Sequence, residues 1–232
     1  MVARVCFSPQ ADLVGGLVVG AIGIDAIRHV DRRPGHVALA ALPLLLGAHQ
    51  VVEAFVWWGL QGSVPSGVGR AALWIYLLIA LVVLPIYVPT AVFLLERDGP
   101  RRWEVAPFVA IGAVVAVSLF VAMLRGPVTV TPAPYRLAYA VGHNPGLPIA
   151  ALYILAVCGA FLVSGHRILV LFGLANLIAL PIILWLAVDG FASLWCGYAA
   201  AASAVLALYL RFGRADTLRG AERKAAQRAV GA

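Results

Sequence analysis

The chain has 232 residues, 63% of them hydrophobic and only 12% charged, with a mean hydropathy of +0.97. A soluble domain carries about twice that share of charge, so a water-soluble globule is excluded and a helical membrane domain is expected. The net charge of +7 does not point to nucleic acid, because most basic residues stand in short loops between apolar runs.

The opening stretch MVARVCFSPQADLVGG places Pro9, Gln10 and Asp12 where the apolar core of a secretory signal would begin. A cleaved signal is therefore not expected, and the first helix stays in the mature protein. Apolar runs predict seven spans, at about 12–29, 36–59, 70–95, 104–124, 147–163, 167–187 and 190–211. DRRPG, QGSVPSG, ERDGPRR, SGHR and VDG separate them. In the first span Gly16 and Gly20 form a small-xxx-small pair suited to close helix packing. Pro43, Pro85, Pro89, Pro107 and Pro181 fall within or just inside spans, where neighbouring helices can satisfy the backbone groups they free. The one long connection, RGPVTVTPAPYRLAYAVGHNPG, alternates β-branched and polar residues before a PAP turn. It can form a short hairpin and either cover one face of the bundle or remain a solvated loop.

Orientation follows from the basic residues. Arg28, Arg32, Arg33, Arg97, Arg101, Arg102, Arg167 and six tail residues from Arg211 to Arg228 fall on one side, making 13. Arg4, Arg70, Arg125 and Arg136 make 4 on the other. The positive-inside rule then puts the N-terminus outside and the C-terminus in the cytoplasm. The expectation is an all-α polytopic bundle of seven transmembrane helices over residues 1–211, followed by a basic cytoplasmic tail, 212–232. High Arg and Ala with a single lysine suggest a GC-rich genome and a bacterial plasma membrane.

Within LGAHQVVEAFVWWG the second span carries polar residues that lipid does not tolerate. His49, Glu53 and Trp57 are spaced by four and share one helical face, with Gln50 at its border. Counted from Gly59, Glu53 lies about 9 Å and His49 about 15 Å below the outer end. An ionisable group at such depth costs at least ~2.5 kcal/mol, so it should turn into the bundle. Asp12 begins the first span on the same side, near Cys6 and Ser8, and Asp189 and Ser193 begin the last one, with Cys196 following. Asn176 reaches a similar level, whereas Asp25 and His29 suit the inner interface. The inference is a polar pocket in the outer half, on the first, second and seventh helices, with Glu53 held by a partner on the first or seventh. A structural network joining helices is the other reading. A Cys6–Cys196 disulfide stays open, and without a CxxC a thiolate metal site is not expected.

The stretches CFSPQAD, PLLLGAHQVVEAFVWWG and LWCGYAAAAS together resemble a family of bacterial integral membrane proteins known only as a domain of unknown function. Its pattern is a CFS start, a Q-x-x-E-x-x-x-W helix and a W-C-x-x-A-A element, in this order along nearly the whole chain. The resemblance implies importance for Cys6, Ser8, Gln50, Glu53, Trp57, Trp195 and Cys196, and it implies no activity. Many members have another residue at the place of His49, so it gives no support to a mechanism built on that histidine.

Two functions compete: binding or transport of a small ligand, cation or protons through the outer pocket, and a structural or accessory role without ligand. A membrane-embedded hydrolase is weaker, because zinc needs several histidines and only His49 lies deep in a span. Retinal attachment needs a lysine within a span, and Lys224 is in the tail. The sequence leaves the cofactor unknown. The partners expected are the bilayer and a small ligand or cation.

Overall fold

The computed structural model describes residues 8–96, 101–133, 136–142, 146–186 and 194–212. The elements are α1 (Pro9–His29), α2 (Pro34–Leu60), α3 (Ser66–Leu77), a π-helical segment (Leu78–Val83), α4 (Leu84–Leu95), α5 (Arg102–Arg125), β1 (Val128–Ala133), β2 (Arg136–Val141), α6 (Gly146–Leu162) and α7 (Arg167–Leu186). The helix Leu194–Phe212 is labelled α8. Because the π segment joins α3 to α4 without a break, Ser66–Leu95 is one rod. That rod and α1, α2, α5, α7 and α8 are six helices long and apolar enough to cross a membrane, while α6, with 17 residues, is shorter. Large apolar side chains such as Leu17, Val117, Ile178 and Val205 face outward on different helices, as a bilayer rather than water requires. The basic tail lies outside the described residues apart from Phe212.

Local chemistry explains the ends. Ser8 caps α1, its hydroxyl accepting from the Ala11 N–H at 3.2 Å. At the end of α2, Gly62 adopts φ +71°. The Gly62 N–H donates to the Gly59 carbonyl and the Ser63 N–H to that of Trp58, a Schellman closure that favours glycine. Pro65 then sets the entry to α3, which begins at Ser66, four residues before the span expected from hydropathy.

Helices α1 and α2 touch through backbone. A Cβ on Gly16 would stand 2.6 Å from the Gly47 carbonyl oxygen, so the small-xxx-small pair serves close packing. Prolines shape the third rod. The Leu84 N–H donates to the Ile79 carbonyl in the wide i−5 register. The next donor in that register would be Pro85, which has no N–H. The carbonyl it would have served, Ala80, accepts instead from the Tyr153 hydroxyl of α6 at 2.8 Å.

The long connection folds into an antiparallel hairpin in which Val130 pairs with Tyr139 and Val128 with Val141. One face of it, with Val128, Val130, Leu137, Tyr139 and Val141, packs into an apolar cluster with Val56, Trp57, Leu73, Tyr76, Met123 and Cys196. Thr129 and Thr131 are exposed. The period of two along each strand places a tyrosine inside the bundle, and this shapes the site.

Candidate functional site

The polar strip of α2 turns inward. His49, Gln50, Glu53 and Trp57 are all buried, His49 and Glu53 completely. Around them gather Asp12 from α1, Tyr76 from α3, Tyr139 from β2 and Cys196 from α8.

The core of the arrangement is a stack of three rings. His49 lies on Tyr76 at 4.0 Å between centroids, and Tyr76 lies on Tyr139 at 4.3 Å. The His49 Nε2 is 3.1 Å from the Tyr76 carbonyl oxygen. A carbonyl only accepts, so the proton of this contact sits on Nε2, and Nδ1 is left facing the interior. At the other end of the stack the Tyr139 hydroxyl donates to Glu53 Oε1 at 3.2 Å. The hydroxyl of Tyr76 faces the Cys196 thiol without a close hydrogen bond. Asp12 and the Trp57 indole N–H face each other in the same loose way. Asp12 sits in the first turn of α1, where the helix dipole favours its charge.

Several buried polar atoms at this level have no hydrogen-bond partner among the described residues: Asp12 Oδ2, His49 Nδ1, Gln50 Nε2, Trp57 Nε1 and the Tyr76 hydroxyl. Each such atom costs about 1–3 kcal/mol when nothing meets it, so their gathering in one place asks for an explanation. Among the described residues no three of His, Cys, Asp and Glu are grouped so as to hold a metal ion.

The expected inward turn of the polar face of α2 is met. Glu53, Gln50 and His49 do point into the bundle, with Asp12 and Cys196 near. Beyond that expectation, Tyr139 of the hairpin donates to the Glu53 carboxyl. The reason lies in the alternation of β2, which aims Tyr139 inward beside Leu137 and Val141. Asn176 takes no part; its amide donates to the Phe172 carbonyl of its own helix. Trp57 is buried in the interior, whereas Trp103 and Trp185 are widely exposed. Cys6, Asp189 and Ser193, and with them the Cys6–Cys196 pairing, lie outside the described residues.

Sequence reasoning missed Tyr76, Tyr139 and a second buried glutamate, Glu96. At the opposite end of the bundle one oxygen of Glu96 accepts from the Ser164 hydroxyl at 2.7 Å and the Gly165 N–H at 2.8 Å, and His166 Nδ1 lies 3.0 Å from it. Burial pushes the Glu96 carboxyl up, but the Ser164, His166 and Gly165 hydrogen bonds and the His166 charge outweigh it, so its pKa is lowered. Nearby, Asp25 pairs with Arg211 of α8 and with His29, tying the first helix to the last. The signal for Tyr139 was present in the strand alternation. For Glu96 none was, since a charge just after an apolar run looks like an ordinary loop residue.

Helices of this length and apolarity, with ionisable residues turned inward, define a helical membrane protein with a buried acidic cluster at its hairpin end. The chain belongs to a family of unknown function, DUF6629, whose model matches residues 5–222. No curated protein and no solved structure matches it.

Proposed function

We propose that the protein binds a small cation, protons foremost, in the cluster around Glu53, with the hairpin as its cover. The observation that carries this is the set of buried polar atoms without a hydrogen-bond partner among the described residues, gathered around a fully buried carboxyl group. The set mixes acceptors (Asp12, His49 Nδ1) with donors (Gln50, Trp57) and a hydroxyl that is both (Tyr76). Such a mixture suits water and the protons it carries. Two carboxyl groups, with neither lysine nor arginine among the named residues, favour a cation over an anion. Ionisable groups at such depth commonly mark ion and proton pathways, so binding here is compatible with transport.

The same proposal includes seven spans in a bacterial plasma membrane, with the N-terminus outside and the hairpin on the outer face. Supporting it are the 13 basic residues against 4 on alternate sides and the length of α6, whose 17 residues reach about 26 Å. A reporter that works only in the cytoplasm should be active when fused after Ala232. Activity only on export would reverse the orientation or change the number of spans.

Glu53→Gln tests the site itself. Infrared titration of protein in lipid should show a carboxyl signal that responds to pH or to added cations and is missing in the variant, with helix content unchanged. A variant identical to the wild type in every titration and in cation-dependent thermal stability would leave the cluster as a scaffold that joins helices.

A further inference from the structure

A second feature lies beside the Glu53 cluster, behind a wall made by Val56 and Leu73. It is an open cleft of about 470 Å³ between the end of α2, α3 and β1. Its base forms where the two backbones meet: a Cβ on Gly69 would stand 2.7 Å from the Gly59 Cα. Without side chains there, the helices touch and the neighbouring apolar residues line an open channel. Val56, Leu60, Leu73, Trp74, Val128 and Val130 form its walls.

Arg70 is the one charged residue that lines the cleft among the described residues, and it is exposed. Ser66, four residues earlier, is on the same helical face and also lines it. Arg70 therefore lies about 6 Å from the start of α3, at the depth where a guanidinium reaches the headgroup layer while its stem covers apolar surface.

We propose that this cleft seats one anionic phospholipid, its acyl chain along Val56, Leu73 and Val130 and its phosphate on Arg70 and the Ser66 hydroxyl. Size argues for a single chain: the volume is that of a small-ligand pocket, about 300–1,000 Å³, and a helix about 10 Å across does not fit it. Apolar walls favour an occupant from the bilayer over a free anion, to which they offer nothing. The single positive charge selects an anionic head, and a guanidinium meets phosphate through two parallel hydrogen bonds.

The test uses the full chain in mixed micelles, with native mass spectrometry and thermal shifts read for phosphatidylglycerol, phosphatidylcholine and inorganic phosphate. One phosphatidylglycerol should be retained through removal of bulk lipid, in preference to phosphatidylcholine. Arg70→Gln, at an exposed position, should weaken retention by roughly tenfold, and Arg70→Lys by less. Val130→Trp should obstruct the chain and lower retention with the headgroup residues intact; if it does not fold, Val128→Phe serves the same purpose. Glu53→Gln should leave lipid retention unchanged, which separates this site from the cation site. Equal retention of both lipids, an unaltered Arg70→Gln, or the full shift produced by inorganic phosphate would each overturn the proposal.

Discussion

Glu53 and Glu96 are both buried, at opposite ends of one bundle, and they are used in opposite ways. Glu96 stands just past the end of α4 and gathers a hydroxyl, a backbone N–H and an imidazole onto a single oxygen. Those donors come from Ser164, Gly165 and His166, the turn between α6 and α7, so the carboxylate fastens one loop to one helix end. Glu53 lies within α2, facing a phenol from a hairpin, and its surroundings include polar atoms that no described residue meets. A carboxylate whose neighbours are spent on holding it builds structure. One whose neighbours keep spare hydrogen-bonding capacity is, in the function proposed above, the one that accepts something from outside the chain. The contrast explains why burial alone does not single out the site: Glu96 is 7% exposed and Glu53 0%.

The largest expected effect is structural. Glu96→Ala removes the acceptor of three close contacts and leaves the buried Ser164 hydroxyl without its partner. A loss of roughly 3 kcal/mol is expected, read as a lowered unfolding midpoint in detergent. Glu53→Gln keeps an acceptor for Tyr139 and should cost less than about 1 kcal/mol. If the two variants lose stability equally, the distinction between fastening and binding carboxylates fails.

Acid should affect the two ends unequally. The Glu96 pKa is lowered on folding, so its contribution is fully present above the ordinary carboxyl value of 4.5 and is lost as pH falls through the lower, folded value. Stability of the wild type should therefore decline below about pH 4.5, and Glu96→Gln should flatten that decline. Parallel acid limbs for the two proteins would mean that Glu96 is not held as an anion.

Much of this was legible before any coordinates. Hydropathy located the helical rods to within a few residues, because a stretch long enough to span lipid cannot be disguised by local sequence. The inward face of α2 was legible too, since His49, Glu53 and Trp57 repeat at helical spacing. What could not be read was contact between elements far apart in the chain. Tyr139 reaches Glu53 across 86 positions, and Ser164 reaches Glu96 across 68. No periodicity encodes such a meeting; it depends on how the rods pack, and here on glycines whose missing side chains let backbones touch. The π segment was hidden for a related reason. Pro85 announces a disturbance, but which carbonyl is left over depends on the register that the helix adopts before it.

The smallest effect belongs to the contact that joins the hairpin to the site. Tyr139→Phe removes one hydroxyl and leaves the ring on Tyr76, so the stack and the apolar packing of Leu137 and Val141 stay in place. A single hydrogen bond to an acidic group contributes about 1 kcal/mol, and part of that returns if water enters the vacated position. Global stability should therefore change little. Access to Glu53 should change more, because the phenol is what the hairpin sets against the carboxyl. Hydrogen exchange of the β1 and β2 amides should speed up in Tyr139→Phe relative to the wild type, with exchange in the turn that holds Glu96 unaltered. If strand exchange stays the same while Glu53 still titrates normally, the hairpin is held by its apolar face alone and does not act as a cover.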